Sequence, residues 1–273
     1  MEIADQSDNG PSPEAGPSPA TGPSPTVAQQ IWSDPTCLLL IFAGGSAEFT
    51  VHPNVDWLFF TGKLPSDPIG RFISTIDYLR QMLVVTTEQR EPLAKALRGL
   101  HRDIEDRRGS RIPDLAYRDV LSMDIYYSIV AAEWVYGKPF DPEQRDDVVA
   151  EMVMFGAQMG VPDLPSSYSE LCQMRQQRFA SYRQSEFTQR LLTSYRQALG
   201  WVGYHSLLGT YPMLLEDSLW AKMPLQRPLL ASVLKPTLHP LWRTNLINLA
   251  YQIGLPKRLR SVVKNWQASC VGK

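Results

Sequence analysis

From residue 31 onward the chain is punctuated as a helical protein. Apolar side chains recur at three- and four-residue steps, and the runs open at Asp-Pro, Ser or Thr and close at Gly. A first helix is expected from Pro35 to Val51, breaking at His52-Pro53. Asp67 caps a second that starts with Pro68, the residue that suits the first helical position. Thr86 with Gln89 forms a capping box for a third, which runs into the charged stretch Arg102 to Arg108 and stops at Gly109. Further helices are expected over 117–136, from Asp141-Pro142 to Gly160, from Ser167 to Tyr182, and over 186–201, 227–234, 240–253 and 256–267. The segment 203–225 has no clear pattern. Strand signals are scarce and no internal repeat appears in this part, so one all-α, multi-helix domain over residues 31–273 is expected.

The first 30 residues are a different material. Gly-Pro-Ser-Pro recurs from Gly10, Gly16 and Gly22. Such a segment buries too little apolar surface to offset its ordering entropy, so a disordered or polyproline II tail is expected over residues 1–30.

Of the 273 residues 44% are hydrophobic and 20% charged, with a formal net charge of -1, so nothing basic points to nucleic acid. Cys37, Cys172 and Cys270 are far apart, which argues against a zinc site or a disulfide framework and for a reducing, cytoplasmic setting. The longest clean apolar run, Cys37 to Ala43, falls far short of the ~20 residues a bilayer needs, so no transmembrane segment is expected, although peripheral membrane contact stays open. A basic stretch followed by an apolar one is missing at the N-terminus, so no secretory signal is expected.

Three residues suggest chemistry. Arg71 and Thr75 lie four apart and share a helix face, beside the apolar row Phe72, Ile76, Leu79 and Leu83. His101 sits on the apolar stripe Leu93, Leu97, Leu100, Ile104 of the next helix. An imidazole facing an interior can hold haem iron, with a fixed cation and hydroxyl nearby to act on bound oxygen. By spacing alone, a core histidine with an ordinary hydrogen-bond partner outweighs an iron ligand.

The order of several segments resembles the family of latex-clearing (rubber) oxygenases and MpaB-type haem oxygenases. The matching stretches are LLLIFAGGSAEFTVHP (38–53), DPIGRFIST (67–75), GLHRDI (99–104), the Asp141-Pro142 helix start with the loop GVPDL (160–164), and residues 227–256. The resemblance implies an all-α fold around one b-type haem, with His101 as the iron ligand and Arg71 and Thr75 in the haem pocket. It implies an oxidoreductase that uses dioxygen on an apolar substrate, through C=C cleavage of an isoprenoid-type chain in secondary metabolism. There are departures. Many relatives carry a further histidine roughly where Asp124 stands, and the rubber-cleaving members carry a pocket lysine where this chain has Ser74. They also use an upstream acidic residue, for which Glu48 is the candidate.

The aromatic cluster Trp57 to Phe60 either lines that pocket or packs in the core, and Glu133 either pairs with an arginine or faces solvent. His52, His205 and His239 read as structural. Two other functions fit the same scaffold: a cofactor-free isomerase or cyclase using Arg71 or Asp124 as acid or base, and a non-enzymatic haem- or lipid-binding protein.

Overall fold

The computed structural model describes residues 24–60, 62, 66–85, 87–226 and 255–271. Eleven helices are described: α1 (Val27–Ser33), α2 (Pro35–Phe49), α3 (Asp56–Phe60), α4 (Pro68–Val84), α5 (Thr87–Arg108), α6 (Asp114–Tyr136), α7 (Pro142–Gln158), α8 (Tyr168–Phe179), α9 (Glu186–Leu214), α10 (Asp217–Trp220) and α11 (Lys257–Val271). Among the described residues there is no strand, and no helix is long and apolar enough to cross a membrane.

The stop and start signals do what their chemistry requires. The Asp67 carboxylate accepts from Gly70 N at 2.9 Å, and Asp141 and Gln144 close a reciprocal capping box. Gly137, at φ 71°, ends α6 in the left-handed conformation that costs glycine least. The Thr86 cap and the expected helices over 227–234 and 240–253 lie outside the described residues.

Folded chain begins earlier than residue 31. Thr26 and Gln29 form a capping box, and α1 then buries Ala28, Ile31 and Trp32. The Trp32 indole donates to Ser128 Oγ at 3.0 Å, which anchors α1 to α6. Residues 27–30, expected in the tail, are therefore helix, because their apolar turn docks on α6.

The core is built around α6. The Tyr127 ring occupies the space a Cβ at Gly44 would fill, so α2 and α6 approach closely. Gly156 does the same for α7: a Cβ there would come within 2.6 Å of Leu121. The C-terminal α11 docks on α4, with Trp266 Nε1 donating to Asp77 at 2.9 Å and Arg258 pairing with Asp67 at 2.8 Å. The unpatterned segment 203–225 is mostly helix. It continues α9 past a break at Gly200, where φ is 69°, and then forms α10.

Candidate functional site

Helices α4 and α5 carry the three residues singled out above, and local contacts lock the pair together. Tyr78 Oη donates to the Leu93 carbonyl at 2.6 Å. Arg90, buried, caps the open end of α4 by donating from Nε to Met82 O at 2.8 Å.

The Arg71 guanidinium makes no hydrogen bond or ion pair with any described residue; the residue is exposed, and partial desolvation lowers its pKa from the usual arginine value. Thr75 Oγ1 donates to Arg71 O at 3.1 Å, which ties its rotamer to the Arg71 turn. Ser74, in the place of the relatives' lysine, is likewise bonded to Gly70 O at 2.5 Å and is exposed.

His101 is half-buried, and its ring meets Tyr117 of α6 edge-on with centroids 5.1 Å apart. Its Nδ1 is buried and makes no hydrogen bond of good geometry, although the Leu97 carbonyl one turn back is close enough to favour the proton slightly. Burial first, then the nearby Arg71 and Arg98, push the imidazole pKa down to about 4, against an opposing pull from Glu105. His101 is thus a neutral imidazole at physiological pH, within electrostatic reach of Arg71. Leu100, expected on the same inward stripe, is 61% exposed; the buried row of α5 runs through Ala94 instead.

These residues fit a haem. Among the described residues no group of three or more His, Cys, Asp or Glu could hold a metal ion. A macrocycle already supplies most of the iron's ligands, and a single neutral imidazole with an unmet ring nitrogen is what it asks of the protein.

Other expected roles are answered by packing. Trp57 lies under the Arg108 guanidinium at 3.9 Å, Phe59 packs on Phe187 and Phe60 is exposed, so this cluster covers the junction of α3, α5 and α9. Glu133 pairs with Arg145 at 2.7 Å. His52 accepts from Asn54 N on Nδ1 at 3.1 Å and places Nε2 3.3 Å from Asp119, bracing the turn after α2. The His205 ring lies tilted against the exposed Trp201, with centroids 4.7 Å apart, and His239 lies outside the described residues.

Glu48 is no free acid. It is 1% exposed and accepts from Arg175 twice, from Tyr127 at 3.0 Å and from Tyr182 at 2.9 Å. A carboxylate with four donors is saturated, which corrects its reading as the upstream acidic residue. The one acid inside an otherwise apolar helix, LLLIFAGGSAEF, was the signal that a buried cation must meet it. A cavity of about 450 Å³ opens beside this network, walled by Arg118, Asp119, Arg175 and Arg178, away from His101.

Asp124 stands apart. Its carboxyl has no hydrogen bond with any described residue, and burial together with the Glu48 charge pushes its pKa up to about 7.

Residues 29–261 match the family described as ER-bound oxygenase mpaB/B'/rubber oxygenase, catalytic domain. The chain belongs to the MpaB/rubber-oxygenase family. No curated protein and no solved structure matches it. Membership supports an oxidoreductase-type enzyme on a haem-oxygenase-type fold, and the all-α architecture agrees with it.

Proposed function

We propose that the protein is a haem-dependent oxygenase acting on an apolar small molecule, by oxidative C=C cleavage or oxidation of an isoprenoid-type chain in secondary metabolism. One observation carries the reading: a neutral His101 with a buried, unmet Nδ1, beside an unpaired guanidinium, in a chain of this family. His101 would hold haem b through a ring nitrogen, with the Leu97 carbonyl one turn back as the nearest acceptor for the other. Bound haem supplies dioxygen activation. Arg71 contributes a permanent cation with free donors, for a propionate or for oxygen. Thr75, its proton committed to Arg71 O, contributes acceptor lone pairs. Two free thiols, Cys37 and Cys172, suit a reducing, cytoplasmic setting.

The test is the absorption spectrum of the protein expressed with a haem precursor supplied. A Soret band lost in His101→Ala is expected, together with oxygen uptake on an isoprenoid substrate. A Soret band unchanged in His101→Ala removes the ligand assignment. Haem without oxygen uptake leaves a binding protein, and a folded chain without haem leaves a cofactor-free isomerase or cyclase.

A further inference from the structure

We infer that Tyr117 is the positioning residue of His101: its ring, clamped between α5 and α6, fixes the rotation of the imidazole that would hold the iron. This builds on His101 as the haem ligand and adds what keeps that ligand in place.

The arrangement follows from the turn of α5. Arg98, His101 and Glu105 are spaced three and four residues apart, so they lie along one face of that helix. Tyr117, in the first turn of α6, meets all three. The Arg98 guanidinium sits over the phenol ring at 5.0 Å, and the His101 ring stands at 84° to it with centroids 5.1 Å apart. The phenol hydroxyl donates to Glu105 Oε1 at 3.3 Å.

Glu105 is itself fixed. It is buried although it belongs to the charged stretch 102–108, and the same Oε1 accepts from Ile112 N at 3.0 Å in the turn between the two helices. Tyr117 is thus held at its tip by a carboxylate tied to the connecting turn, and on its face by a guanidinium two turns back along α5.

Tyr117 matters because of what His101 lacks. An iron-bound imidazole ordinarily donates its second ring N–H to a carbonyl or carboxylate, and that bond fixes the ring's rotation. His101 Nδ1 is buried and unmet. Glu105 lies one turn on and within electrostatic reach, yet its bonds go to Tyr117 and Ile112. The outer torsion of a histidine is broad when nothing constrains it. In this chain the constraint comes from shape, through a neighbouring ring that cannot move.

The experiment reads ring orientation. The full chain is loaded with haem, oxidised and treated with azide, and electron paramagnetic resonance of the low-spin iron is recorded for wild type, Tyr117→Phe and Tyr117→Leu. The imidazole plane splits the iron dπ orbitals, so one fixed plane gives one narrow set of g values. Wild type and Tyr117→Phe, which keeps the ring, are expected to give that single set. Tyr117→Leu is expected to keep its Soret band and to give a broadened or doubled set. A Tyr117→Leu spectrum equal to wild type, or a Tyr117→Phe spectrum as broad as that of Tyr117→Leu, overturns the inference.

The haem-free chain supplies a second readout, from NMR of the protein labelled with 13C-histidine. The His101 ring protons, assigned by their loss in His101→Ala, are expected to be displaced by the Tyr117 ring current in wild type and in Tyr117→Phe. In Tyr117→Leu they are expected to return toward the positions of free histidine. Undisplaced His101 protons in wild type overturn the inference without any variant having to fold. A wild type that takes up no haem refutes the haem reading, while the haem-free spectra still decide whether Tyr117 holds the His101 ring.

Discussion

Arg175 grips Glu48 with both terminal nitrogens, at 2.8 and 3.3 Å, and both residues are at most 3% exposed. The pair joins α2 to α8, and Tyr127 of α6 and Tyr182 complete the ring of donors. Removing either partner strands a buried charge. Glu48→Ala is expected to lower stability by about 3 to 5 kcal/mol, read as a fall in the urea midpoint at constant m-value. A shift under 1 kcal/mol is inconsistent with a closed network.

Gly44 tests the α2–α6 seam. An alanine Cβ falls inside the Tyr127 ring, which cannot move without breaking its bond to Glu48. Gly44→Ala is expected to cost about 1 to 3 kcal/mol. In Tyr127→Ala, with the ring gone, the added methyl should cost little, so a double-mutant cycle separates contact from backbone effects.

In the haem-free protein His101 makes stability acid-sensitive. Its folded pKa of about 4 lies below the ordinary imidazole value of 6.5, so the unfolded chain takes up the proton first as pH falls. Its contribution is complete above about pH 6.5 and is lost on the way down to about pH 4. His101→Phe is expected to flatten that window of the stability profile. Arg71→Met, which removes one of the cations that depress it, should move the His101 midpoint upward by NMR titration.

Asp124 has the opposite sign. Its acid is favoured in the fold up to about pH 7 against an ordinary 3.8, so the unfolded chain is the stronger acid and stability falls as pH rises through that range. Asp124→Asn is expected to stabilise the protein by roughly 1 to 3 kcal/mol above pH 7, with the gain vanishing below pH 4. Thermal melts at the two pH values decide it.

Arg71 is proposed to act on the reaction and not on the fold, since no described residue is bonded to its guanidinium. Arg71→Ala should keep a Soret band and lower turnover on the order of 10²-fold. Turnover equal to wild type removes Arg71 from the mechanism.

Much of the helical layout was legible because capping is local chemistry. Asp67, Asp141, Ser167 and Gly137 each mark a helix end by bonds or dihedrals reaching only a few residues. The start of α1 was missed for the same reason. Its Thr26–Gln29 box follows directly on the Pro-rich repeat, and what holds it is Trp32 against Ser128, 96 residues away. Leu100 fits the apolar period yet is exposed, because period alone does not say where a neighbouring helix stops.

By itself the sequence determined that the chain is helical, where most helices begin and end, and that Arg71 and Thr75 share a face four residues apart. These follow from backbone hydrogen bonding and the 3.6-residue turn. Only the tertiary structure decided which polar groups are met. It gave Glu48 four hydrogen bonds from three residues far along the chain, left the Asp124 carboxyl without a bond to any described residue, and buried His101 beside Arg71, which together keep that imidazole neutral. Burial and partnership depend on residues tens to more than a hundred positions away, and spacing along the chain does not carry that information.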